Sequence, residues 1–186
     1  MIAVLSILLI TILGCPLNMG FKKTSETIAI SFGLAETAPN TFIQEEIALQ
    51  LDILNNEIFV VLAADLDLTP PDALPATDTA VTASICSTSQ ATVTNLSNTN
   101  CIATARDDIR AGGFVDGGVG FSRGAESSYT GDVDYISLIS TNNFFVQLIG
   151  SANAVPKNVT GRLWGYRARA DSATYAALVQ SEVLSA

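Results

Sequence analysis

The sequence predicts an all-β protein: a single antiparallel β-sandwich or barrel of about eight strands, jelly-roll-like, with one short C-terminal helix. Three observations carry this. Apolar residues recur mostly with period two, the spacing of a half-buried strand. Clusters of Gly, Pro, Asn, Ser and Thr separate the runs. Strands and helices do not alternate along the chain, so a parallel nucleotide-binding sheet is not expected.

Each element follows from its residues. Thr27-Ile28-Ala29-Ile30-Ser31-Phe32 alternates, placing Ile28, Ile30 and Phe32 on one face. Ile47 to Ile53 alternates as well; Glu45, Glu46 and Leu49 also suit a helix, but the turn Asn55-Asn56 and a further strand follow. Ile58 to Leu68 opens with the apolar block IFVVLAA, which a strand covered on both faces shows, and ends alternating, with Asp65 and Asp67 on the wet face. Pro70, Pro71 and Pro75 make the next segment a loop. Ala80 to Ser87 and Cys101 to Ile109 are strands, joined through a Ser/Thr/Asn-rich stretch with a short helical turn expected around Val93 to Leu96. The run AGGFVDGGVGF at 111–121 implies tight bends. Tyr135 to Ser140 and Phe144 to Ile149 flank Thr141-Asn142-Asn143, read as a short hairpin turn. Val159 to Arg169 is the last strand. Ala173 to Val183, without Gly, Pro or alternation, is a helix capped by Asp171 or Ser172.

Residues 1–20 form an apolar leader and 21–186 a single β domain. MIAVLSILLITILG is too short to span a bilayer comfortably and suits a signal-peptide core. Ile12-Leu13-Gly14-Cys15 loosely resembles a bacterial lipoprotein cleavage box, which makes Cys15 a lipidation candidate. Met19-Gly20-Phe21-Lys22-Lys23 reads equally as the true start of a soluble protein.

Composition excludes several functions. The 186 residues include no histidine, which removes Ser-His-Asp and Cys-His catalysis and histidine metal sites. The net charge of −9 leaves no basic face for sequence-specific nucleic-acid binding. Residues 1–100 hold ten acids against Lys22 and Lys23, whereas 101–186 hold eight acids and seven bases. Such polarity suits docking between copies as well as plain solubility. No enzyme activity and no cofactor are expected.

Three sets of residues stand out. Asp65, Asp67, Asp72 and Asp78 fall within fourteen positions and are weak calcium candidates, though their spacing fits no EF-hand. Cys86 and Cys101 can close one disulfide or serve as small buried residues. Arg162, Trp164 and Tyr166 alternate on one face of the last strand, with Arg167 and Arg169 on the opposite parity. Arg, Trp and Tyr are the usual anchors of interfaces, so these five are candidate contacts between subunits; core packing or a ligand platform is the other use of such a row.

Abundant Ala, Thr, Ser, Asn and Val, scarce Lys and long loops give the chain the general look of a small viral or phage coat subunit built on one jelly roll. The chain resembles such subunits in architecture and composition, and lacks the Arg-rich amino-terminal arm many of them carry. The expected function is therefore structural: a self-assembling capsid, coat or decoration subunit, located in the virion, whose partners are copies of itself. The alternative is a secreted or lipid-anchored bacterial surface sandwich acting as a binding or adhesion module, in contact with a membrane only through a retained leader.

Overall fold

The computed structural model describes residues 20–111, 121–126 and 133–184. Ten strands lie among them: β1 (Phe21–Lys23), β2 (Ile28–Ala35), β3 (Ile43–Ala48), β4 (Glu57–Leu68), β5 (Thr79–Cys86), β6 (Cys101–Arg110), β7 (Phe121–Glu126), β8 (Ser137–Ile139), β9 (Asn143–Ser151) and β10 (Asn158–Ala170). A 3-10 turn spans Ile53–Asn55, and helix α1 spans Ser172–Leu184.

The strands form two antiparallel sheets. In sheet A the order is β2-β10-β4-β8, with β1 continuing the β2 edge of the long strand β10. In sheet B the order is β3-β9-β5-β6-β7. Set aside β1 and β7, and eight strands remain in two sets of four: second, last, fourth and eighth facing third, ninth, fifth and sixth. Apart from the β5–β6 hairpin, successive strands thus cross between the sheets, as they do in a jelly roll made of two Greek keys; the turn Thr141-Asn142-Asn143 therefore joins β8 of sheet A to β9 of sheet B and closes no hairpin. Seven of the eight runs read as strands in the sequence coincide with these strands; the eighth, Ile47–Ile53, meets β3 only at Ile47 and Ala48.

The core lies between the sheets. Phe59, Val61 and Leu163 from sheet A meet Val81, Ile85, Phe144, Val146 and Leu148 from sheet B. The rings of Phe32 and Phe144 meet edge-on, with centroids 6.1 Å apart. Two glycines on the inner side of β10 make room for aromatic rings. A Cβ on Gly161 would stand 2.6 Å from the Phe32 ring, and one on Gly165 would stand 2.5 Å from the Phe59 ring. A register shift between Trp164 and Gly165 marks a bulge opposite β4.

A second apolar cluster lies on the outer face of sheet A. Ile58, Val60, Ala168 and Ala170 are covered there by Tyr175 and Leu178 of α1, with Phe21, Leu138 and Tyr166 around them. This explains the apolar block that opens β4. Phe59 and Val61 face the sandwich while Ile58 and Val60 face the helix. Asp171 caps α1 by accepting from Thr174 N–H at 2.8 Å. Near the other end of α1, the buried carboxylate of Glu182 accepts from Ser140 N–H at 3.1 Å, Ser140 Oγ–H at 2.7 Å and Thr141 N–H at 3.1 Å.

Three further expectations are corrected. The strand expected through Ile53 stops at Ala48, and Ile53 starts the 3-10 turn. Asn56 closes that turn in the left-handed region (φ 54°), which asparagine tolerates. The helical turn around Val93 to Leu96 does not form; local side-chain bonds, such as Asn95 Oδ1 accepting from Ser97 N–H at 2.9 Å, hold irregular turns instead. Strands β1 and β7 bring the count from about eight to ten. Most of the glycine-rich run, residues 112–120, and the leader with Cys15 lie outside the described residues.

Candidate interface and paired thiols

The five residues expected to make an interface do not share one surface. Arg162 and Trp164 lie on the outer face of sheet A beyond the reach of α1. The Arg162 guanidinium stacks over the indole, 5.5 Å from its centroid, a favourable cation–π contact. Trp164 Nε1–H donates to Asp65 Oδ2 at 3.3 Å, and Asp65 is the register partner of Arg162 on β4. Asp67 stands opposite Thr160 on the same face. Arg162, Asp65 and Asp67 are exposed and Trp164 is half-buried.

Tyr166 departs from this group although its parity is the same. It packs into the cluster beneath α1, and Lys23 Nζ lies 4.9 Å from its ring centroid. Burial raises its phenol above the ordinary range, aided by the charge of Asp134. Arg167 lies on the opposite parity. Its guanidinium donates to Leu49 O at 2.9 Å and lies 3.6 Å from Glu57 Oε2. Arg169 stands opposite Lys22 of β1. The helix therefore divides the row, leaving Arg162 and Trp164 with Asp65 as the open part.

An open cleft of about 440 Å³ adjoins this part, lined by Phe32, Asp65, Asp67, Thr104, Gly161 and Arg162. Asp107 of sheet B lies close enough to be affected by Asp67. Burial raises its carboxyl above the usual range, and the charges of Asp108 and Asp67 raise it further.

The four calcium candidates are not brought together, because each is held in its own place. Asp65 takes the Trp164 N–H. Asp67 stays on the outer face of sheet A. Asp72 pairs with Lys157 at 2.6 Å. Asp78 meets Arg110 at 3.3 Å and accepts from Ala111 N–H at 2.8 Å. Among the described residues, no group of three or more Asp, Glu or Cys is placed to hold a metal ion.

Sequence reasoning missed a buried polar lock at one end of the sandwich. Glu36 is buried and accepts from Gly150 N–H at 2.7 Å and Lys157 N–H at 2.8 Å. Asn153 donates to Ala80 O and exchanges bonds with Asn40, while its Oδ1 accepts from Asp72 N–H. Asp72 Oδ2 also accepts from Ala154 and Val155 N–H. Loops 36–42, 69–78 and 152–157 are thereby tied into one rigid end. The partners lie far apart in sequence, which is why no local pattern reveals them.

At the other end, Cys86 closes β5 and Cys101 opens β6, and the two are register partners. Both are free thiols; Cys86 is fully buried and Cys101 half-buried. The loop between them folds back over the outer face of sheet B, where Thr94 N–H reaches Ser84 Oγ and Gln147 Oε1, each at 3.3 Å.

The class that these sheets define is the jelly-roll β-sandwich. No protein-family model matches the chain, and no curated protein matches it. Among solved structures, a chain from desmodium yellow mottle tymovirus aligns over 79% of this chain and 91% of that one, at 11% identity and a TM-score of 0.28. At that score the alignment carries no weight for function.

Proposed function

We propose that the chain is a structural subunit that assembles with copies of itself into a shell, as a viral or phage capsid, coat or decoration protein resident in the virion. The observation that supports this reading above the others is the strand order of the two four-stranded sets, the arrangement of capsid and lectin jelly rolls and of cupins. A histidine-ligated metal site of the cupin kind has no residues to build it in a chain without histidine. The locked loop end gives a subunit of fixed shape, which repeated packing requires. The open part of sheet A, with Arg162 stacked on Trp164 beside Asp65, is the contact surface of choice, since it combines an aromatic anchor with both signs of charge.

Size-exclusion chromatography with light scattering, and negative-stain microscopy of the same fractions, tests the proposal on the full chain. Uniform large particles or closed rings are the expected result. A monomer at all salt concentrations would overturn it. Native material beginning at an acylated Cys15 would replace it with the anchored surface module.

A further inference from the structure

We propose that Cys86 and Cys101 form a reversible disulfide that staples the base of the 87–100 loop, with Cys101 the thiol that meets the oxidant. The chemistry stands independently of shell assembly.

The backbone places the pair for this bond. Ser87 N–H donates to Asn100 O at 3.0 Å, which makes Ser87 and Asn100 a hydrogen-bonded pair. The next pair inward, Cys86 opposite Cys101, then falls at a non-hydrogen-bonded position. Cα atoms at such positions lie about 4.5 Å apart, inside the span of about 4.4–6.8 Å that disulfides occupy. A register shift follows at Ile85, where Ile102 is the additional residue on β6. The two thiols are near enough for each to shift the other's titration.

Their surroundings give them different roles. Cys101 is half-buried and reachable, and the hydrogen bond from Cys86 lowers its thiol to about 7 against the opposing effect of burial. Cys86 is sealed under the loop, with its sulfur 2.8 Å from Thr94 Oγ1, and the same pairing together with burial pushes its thiol up. One sulfur is thus an accessible nucleophile near neutral pH and the other a protected resolving thiol.

The exchange is balanced with a low-molecular-weight disulfide such as oxidised glutathione. The Cys101 thiolate attacks one glutathione sulfur, and the other glutathione leaves as a thiolate. Cys86 then gives its proton to solvent and attacks the Cys101 sulfur, expelling the second glutathione thiolate. Two protein thiols are oxidised and one glutathione disulfide is reduced to two thiols. Closing the base confines the unfolded chain and fixes the loop that covers Ser84 and Gln147.

The test is equilibration of the full chain across a series of reduced-to-oxidised glutathione ratios, followed by acid quench, alkylation and tryptic mass mapping. The tryptic peptide spanning 24–106 carries both cysteines and excludes Cys15. The expected product is that peptide lighter by two hydrogens, unalkylated and free of glutathione, with Tm raised by about 5–10 °C. Cys86→Ser should stop at a stable glutathione adduct on Cys101, with no gain in Tm. Cys101→Ser should leave Cys86 unmodified in the folded protein. Two results would overturn the proposal: a persistent glutathione adduct in the wild-type protein, or two alkylatable thiols at the most oxidising ratio.

Discussion

Lys157 Nζ lies 2.6 Å from Asp72 Oδ1, with the lysine side chain only 2% exposed, and it also donates to Pro70 O at 3.0 Å. The ion pair joins two loops that no backbone ladder connects. Removing one member strands the other charge among Glu36, Asn153 and the loop carbonyls. We expect Lys157→Ala to cost about 3–5 kcal/mol in urea unfolding. A change below 1 kcal/mol would mean that the loop end relaxes to let water in.

The same pair sets the acid limit of stability. The hydrogen bond from Lys157 holds the Asp72 carboxyl below its usual range, against the opposing effect of burial. Its folded value lies below its unfolded value. The stability it contributes is therefore complete above the usual carboxylate range and is lost as pH falls through the folded value. Asp72→Asn should be less stable at neutral pH, and its deficit should shrink below about pH 4. Parallel curves of stability against pH for the two proteins would refute this.

Glu182 acts in the opposite sense. Burial raises its carboxyl, while Ser140 and Thr141 donate to it and oppose the rise. A carboxyl whose folded value is raised contributes more stability at low pH and loses that contribution as pH climbs through the folded value. Replacing it with alanine leaves Ser140 N–H, Ser140 Oγ and Thr141 N–H without their acceptor. The expected cost is about 2–3 kcal/mol, read as faster amide exchange across α1 while sheet B is unchanged.

Three glycine substitutions should separate cleanly. Gly161→Ala puts a Cβ 2.5 Å from Asp65 O and 2.6 Å from the Phe32 ring; Gly165→Ala puts one 2.4 Å from Val60 O. Backbone carbonyls cannot yield as a flexible side chain would, so each should cost about 3 kcal/mol. Gly33 in β2 has its nearest neighbour at 3.7 Å, and Gly33→Ala should be almost neutral in thermal melts. Equal effects at all three positions would contradict the packing described for β10.

Trp164 is half-buried on an outer face, so truncation should cost the fold little and assembly much. Trp164→Ala is expected to keep a cooperative melt within about 2 kcal/mol of wild type, while particle formation falls at least tenfold by light scattering. Unfolding of the monomer in place of lost assembly would make the indole a structural residue of sheet A.

Strands such as β2 and β5 were legible because apolar residues fall at alternate positions, and the period survives wherever one face is buried. β1 and β7 escaped that test. Phe-Lys-Lys is too short to show a period, and Ser-Arg-Gly-Ala offers no apolar face. The alternation of Arg162, Trp164 and Tyr166 was also legible, but the place where α1 settles was not. The sign of it was present in Ile58-Phe59-Val60-Val61, which only makes sense if something covers the outer side. The link between that block and Tyr175 and Leu178 spans more than a hundred residues, beyond any local pattern. The burial of Lys157 depends on Asp72 and Pro70, more than eighty positions upstream.

Gly20 O accepts from Asp171 N–H at 3.0 Å, and the helix that begins there runs across the outside of sheet A to Leu184. Among the described residues, Gly20 and Leu184 thus lie on the sheet A side of the sandwich. In the proposed shell, Gly20 and the end of α1 would lie on the same side of every subunit. Labels attached at Gly20 and at Leu184 would share one side of each subunit, whereas peptides grafted into the 87–100 loop over sheet B would lie on the other.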